Sequence, residues 1–210
     1  MIHSLVMIGF FLAGVIAGHI GLVPSRAGSA TAAMWVLYAL LLLVGVTIGS
    51  NGKVLSLLKR AGAKLLLVPA STVVGTLIGA AAASIFIGLS LGESMAVGAG
   101  FGYYSLSSIL IAKTADDLPG VSGSLAVIAL LSNIFREVLT IASSPLLAKY
   151  LGGYAPVLAG GATTMDCTLP AVAKYSGSEY VTVALLNGIA LTFLVPVLVP
   201  LILRACCRGT

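Results

Sequence analysis

Long runs of apolar residues separated by short polar connections dominate this chain, at approximately 2–22, 32–49, 64–88, 94–112, 122–148, 152–175 and 180–203. An α-helix rising 1.5 Å per residue needs about 20 residues to cross a hydrocarbon core of about 30 Å. Runs such as Ile2–Leu22 and Ala32–Gly49 have that length. The strict two-residue alternation of a membrane barrel strand is absent. The pattern therefore predicts an all-α fold: a polytopic transmembrane helical bundle, one membrane domain over residues 1–210, with glycine-broken or re-entrant helices among its spans. Ile2–Leu22 exceeds the apolar length of a secretory signal and lacks a Lys or Arg start, so it reads as a span.

Two segments depart from continuous helix. Gly98-Ala99-Gly100-Phe101-Gly102-Tyr103-Tyr104-Ser105 makes 94–112 a broken helix whose hydroxyls and freed carbonyls line a polar pocket, or else a tightly packed segment with boundary tyrosines. Gly152, Gly153, Pro156, Gly160, Gly161 and Pro170 make 152–175 either re-entrant or broken. Gly14 with Gly18, and Gly75 with Gly79, suggest tight helix packing, while Pro196 and Pro200 bend the last span.

Composition narrows the class further. Hydrophobic residues make up 59% and charged residues 8% of the chain, whose mean hydropathy of +1.14 excludes an ordinary soluble domain. The net charge of +5 does not point to nucleic acid, because the basic residues sit between apolar runs, where orientation signals belong. Lys53, Lys59, Arg60 and Lys64 put the loop before the third segment in the cytoplasm. Alternating onward places Lys113 inside and Lys149 and Arg26 outside. Cys167, Cys206 and Cys207 show no metal-ligand spacing and read as packing residues; no cofactor fingerprint is present. His3 and His19 lie near segment ends and read as interfacial.

The candidate chemistry lies in the few ionisable residues within the apolar runs. Glu93, Asp116, Asp117 and Glu179 fall near segment ends, whereas Glu137 and Asp166 do not. For a helix running from Ser122 to Ser144, just before Pro145, the midpoint is Asn133 and Glu137 lies about 6 Å beyond it. A charge at that depth costs roughly 2.5–3.5 kcal/mol on insertion scales and must face protein or a water-filled cavity. Asn133 and Glu137 share a helix face, while Arg136 points about 100° away. Either Arg136 and Glu137 hold neighbouring helices together, or Glu137 with Asn133 binds a cation or proton while Arg136 anchors a broken helix or tunes the carboxylate. Asp166, after Gly160-Gly161-Ala162-Thr163-Thr164-Met165, either caps the helix containing Pro170 or joins a binding site.

Taken in order, four motifs resemble the bacterial lysine exporter family of LysO type: Leu43-Val44-Gly45-Val46, Gly100-Phe101-Gly102-Tyr103-Tyr104-Ser105-Leu106-Ser107, Asn133 with Arg136-Glu137, and Gly161-Ala162-Thr163-Thr164-Met165-Asp166-Cys167-Thr168-Leu169-Pro170. The resemblance implies a multi-pass protein of the bacterial cytoplasmic membrane that exports lysine and its toxic analogues in exchange for protons. It implies Glu137 and Asp166 as membrane-buried acidic positions. Hydroxyls of Tyr103, Tyr104, Ser105, Thr163 and Thr164 are suited to orient the substrate. Longer family members begin with further membrane helices, so the chain looks like their carboxyl-terminal two-thirds. That implies a homo-oligomer, or a separate small membrane protein supplying the missing amino-terminal helices. Rival readings are a sodium/proton or other cation antiporter, a structural subunit of a transport complex and, from another class, an intramembrane hydrolase.

Overall fold

The computed structural model describes residues 63–116, 118, 121 and 124–206, together with Trp35, Ala39, Leu42 and Val46. The chain divides into units Met1–Val44 and Gly45–Thr210. In the first unit Trp35, Ala39 and Leu42 are helical and exposed; the architecture below belongs to the second. The expected span 2–22, nearly all of 32–49, His3, His19, the Gly14–Gly18 pair and the cluster Lys53, Lys59 and Arg60 lie outside the described residues.

Among the described residues the regular structure is all helical, in keeping with the all-α class. In order come α1 (Ala63–Ile87), α2 (Leu91–Gly98), α3 (Tyr104–Asp116), α4 (Leu125–Leu151), α5 (Tyr154–Gly160), a 3-10 turn (Gly161–Met165), α6 (Leu169–Tyr175) and α7 (Glu179–Cys206). Leu66–Ile87 within α1, all of α4 and all of α7 are long and apolar enough to cross a membrane. The most apolar stretch of α7 is 50% buried against 6% for that of α1, so α7 is the central post.

Helix α4 continues through Pro145 to Leu151, beyond the expected stop. Proline removes one backbone donor, a loss that membrane helices tolerate when neighbours re-satisfy the freed carbonyl. The midpoint of Leu125–Leu151 is then Val138, one residue past Glu137. Gly75 and Gly79, expected to bring helices close, have no neighbouring atom within 4 Å of where a Cβ would stand.

The contacts fix direction. Tyr154, at the start of α5, stacks edge-to-face on Tyr180 at the start of α7, with ring centroids 4.9 Å apart. Helix α5 then runs inward beside α4, and the turn after it passes Ala184 and Gly188 of α7. Helix α6 ends at Tyr175, just before α7 begins at Glu179. Segment 152–175 is thus a helical hairpin that enters and leaves at the same end. Val157, Val172, Val183 and Ala184 pack together inside it, against Val68 of α1.

Segment 91–116 forms a second hairpin, from the opposite end. A capping box of Ser90 and Glu93 starts α2. Helix α2 returns along α1, with the Ser94 hydroxyl donating to the Ala80 carbonyl at 2.5 Å. After the break, α3 packs on α4 and α7 and makes no extensive contact with α5 or α6. Compact turns at Leu118 and Val121 lead it into α4. Lys149 and Lys174 therefore lie at the end where α1 begins, and Lys113 at the other. Simple alternation had put Lys113 with Lys64 and Lys149 opposite; it fails because a hairpin reverses the chain without crossing.

The two tips meet. The Ala162 N–H donates to the Phe101 carbonyl at 2.8 Å. Gly161 has φ +64, and a Cβ there would collide with that carbonyl. Phe101 itself is fully buried at φ 47, a left-handed conformation that costs a non-glycine residue about 1–2 kcal/mol and is held by the contacts around it. Gly161→Ala is expected to destabilise the protein by about 1–3 kcal/mol, seen as a lowered melting temperature in detergent. Gly75→Ala, in open space within a helix, is expected to be neutral or to stabilise by up to about 1 kcal/mol in the same measurement.

Candidate functional site

At the junction of the tips lies a small open cleft. The first tip lends Gly102, Tyr103, Tyr104 and Ser105, the second lends Ala162, Thr163, Met165, Asp166 and Cys167, and α4 lends Glu137. Six of the nine residues singled out in the sequence therefore come together: Glu137, Asp166, Tyr103, Tyr104, Ser105 and Thr163.

The other three stand behind the lining because their polar atoms serve the backbone of the breaks. Asn133 is buried on α4, its Oδ1 accepting the Gly102 N–H at 2.7 Å and its Nδ2 reaching the Val97 carbonyl at 3.4 Å. Arg136 donates from Nε to the Ala159 carbonyl at 2.8 Å and from Nη2 to the Leu158 carbonyl at 3.2 Å. It thus caps the C-terminal end of α5, where helix carbonyls carry partial negative charge. The fully buried Thr164 hydroxyl bonds the carbonyls of Gly161 and Ala184. Arg136 is therefore turned to the second hairpin while Glu137, the next residue round the helix, faces the cleft.

Asp166, expected at membrane depth, has an exposed side chain that lines the cleft. Nor does it cap α6: that cap is Thr168, without a side-chain bond, and Oδ1 of Asp166 instead accepts the N–H of Cys167 at 2.6 Å. Cys167, read from sequence as a packing residue, is exposed and lines the cleft beside Glu137 and Asp166. Cys206, also read as packing, is exposed too. Among the described residues no Lys or Arg forms a salt bridge with either carboxylate of the cleft. Helix α3 begins at Tyr104, so its N-terminal end borders the same space.

Sequence reading missed Asn187, which is fully buried on α7. Its Nδ2 donates to the carbonyls of Val157 and Gly161 at 3.3 and 3.1 Å, and its Oδ1 accepts from the Thr72 hydroxyl at 3.2 Å. A signal was present: Ala184-Leu185-Leu186-Asn187 repeats Ala129-Leu130-Leu131-Ser132-Asn133 with one residue fewer, and each follows a glycine-broken segment.

Opposed hairpins of broken helix, meeting over a carboxylate-bearing cleft among long apolar helices, define a multi-pass helical membrane protein whose irregular backbone lines a polar cleft. The family described as lysine exporter LysO matches residues 8–203. The lysine exporter LysO of Escherichia coli (strain K12) is 32% identical over 200 residues, 94% of this chain and 63% of that protein. A putative lysine exporter of Haemophilus influenzae is 30% identical over 167 residues, 79% of this chain and 80% of that protein. No solved structure matches. The chain belongs to the lysine exporter LysO family, as a multi-pass protein of the bacterial inner membrane, and spans 63% of the length of the E. coli exporter.

Removing the Arg136 fork orphans two carbonyls of α5. Arg136→Met is expected to cost about 1–3 kcal/mol in stability by thermal melting in detergent. Arg136→Lys, with a point charge in place of a planar fork, is expected to restore only part of it.

Proposed function

We propose that this chain exports L-lysine, and toxic lysine analogues, from the cytoplasm in exchange for protons. The observation that carries the reading is that Glu137 and Asp166 face one cleft with no salt bridge to Lys or Arg among the described residues. Lysine brings two ammonium groups and a carboxylate. The ammonium groups suit the two acids, and the carboxylate suits the N-terminal end of α3, where backbone N–H groups and the helix dipole favour an anion. Hydroxyls of Tyr103, Tyr104, Ser105 and Thr163 orient the remainder.

Coupling follows from charge balance. At membrane depth a carboxylate is favoured either protonated or beside a cation. Lysine leaving outward exposes the two acids, protons replace it, and their release to the cytoplasm readies the acids for the next lysine. Carriage of this kind forms and breaks no covalent bond, so the chain acts as a carrier and not as an enzyme. We further read the working transporter as more than one chain, a second copy of itself or a separate small membrane protein beside it.

In proteoliposomes loaded with labelled lysine, an acidic exterior is expected to accelerate efflux. Glu137→Gln and Asp166→Asn are each expected to lower it at least about tenfold while the protein stays folded, as befits the loss of a charge-assisted contact. Unchanged efflux by either variant would sink the paired-acid mechanism, and sodium-driven efflux without a proton gradient would favour the cation antiporter. The mass of the purified protein in detergent is expected to exceed that of one chain or to require a co-expressed partner; full transport by a monomer overturns that part.

A further inference from the structure

The two hairpins are held in equivalent ways. Asn133 lies eight residues beyond the first residue of α4 (133 − 125), and Asn187 eight beyond the first of α7 (187 − 179). Each sits on the long helix that follows its hairpin, and each has its Nδ2 within reach of a valine carbonyl just before the tip, Val97 at 3.4 Å for Asn133 and Val157 at 3.3 Å for Asn187, although the Nδ2 of Asn133 also bonds the Ala129 carbonyl of its own helix at 2.8 Å. The valines open matching stretches, Val97-Gly98-Ala99-Gly100 and Val157-Leu158-Ala159-Gly160. Each asparagine makes a second bond to its own tip, Asn133 to the Gly102 N–H and Asn187 to the Gly161 carbonyl. Both side chains are buried, at 3% and 0% exposure, so water does not compete for these bonds.

The hairpins enter from opposite ends, and their tips touch through the Ala162 N–H and the Phe101 carbonyl above the cleft. Freeing one tip opens the cleft toward the end from which that hairpin enters, while the other tip stays fixed. We infer that Asn187 is a positioning residue for transport, paired with Asn133, the two acting as latches on opposed gates: Asn187 on the end bearing Lys149 and Lys174, Asn133 on the end bearing Lys113. The inference rests on the cleft being the transport site but not on the identity of the cargo.

The reporter is Cys167, which is exposed to the cleft. In the full chain with Cys206→Ser and Cys207→Ser, it is the remaining one of three cysteines. A membrane-impermeant maleimide is applied to spheroplasts and to inverted vesicles, so that each face is reached separately. Asn187→Ala is expected to speed labelling about tenfold from the face bearing Lys149 and Lys174, and Asn133→Ala by a similar factor from the opposite face, as the loss of buried hydrogen bonds shifts a two-state equilibrium. Equal acceleration from both faces, acceleration from the wrong face, or no change in folded variants overturns the inference. If gel filtration shows Asn187→Ala unfolded, Thr72→Val decides, since it removes only the hydroxyl that steadies the Asn187 amide. A smaller acceleration from the same face supports the latch, and none refutes it. Labelling needs no lysine, so a failure of lysine efflux and a failure of the latch are read separately.

Discussion

Every backbone N–H and C=O freed by a broken helix at membrane depth must find a partner inside the protein, because hydrocarbon offers none. This chain breaks two helices and then satisfies the broken ends from outside them. Gly102 is met by Asn133, Leu158 and Ala159 by Arg136, Val157 and Gly161 by Asn187, and Phe101 by Ala162 of the opposite tip. The three side chains come from α4 and α7, the long helices that hold the two tips at one level. Without those partners neither hairpin has a reason to stop where it does, and no cleft forms between them.

That constraint divides the polar residues into two groups. Asn133, Arg136, Thr164 and Asn187 spend most of their bonds on backbone and make the breaks possible. Glu137, Asp166, Cys167, Tyr103, Tyr104, Ser105 and Thr163 are left for the cleft. The adjacent pair Arg136 and Glu137 shows the division most directly: about 100° of helix rotation sends one to the end of α5 and the other to the open space. A guanidinium satisfied by helix carbonyls does not neutralise its neighbour, so the carboxylate remains available to a cationic ligand.

The arrangement is symmetric in scaffold and asymmetric in chemistry. Hairpin, long helix and asparagine latch occur twice with opposite sense. Yet the positions on α7 corresponding to Arg136 and Glu137, three and four residues after Asn187, are Ala190 and Leu191. Only α4 brings an acid to the cleft, and only the second tip brings another. Two similar gates thus stand over one charged site, whose relatives include an exporter that this chain covers over 63% of its length.

Much of this was legible in the sequence. Apolar runs determine helical membrane segments because hydrocarbon admits little else, and glycine-rich interruptions mark where those helices break. The intramembrane acids Glu137 and Asp166 stand out because charge there is costly. Tertiary structure alone decided that each broken segment returns to its own end, which reversed the expected placement of Lys113 and Lys149. It also decided that Asn133, Arg136 and Thr164 bond backbone and not the cleft, that Cys167 lies beside both acids, and that Asn187 is the counterpart of Asn133. Local sequence specifies whether backbone can continue as helix; the direction of a chain after a break, and the partners of its freed groups, are set by which distant helix stands beside it.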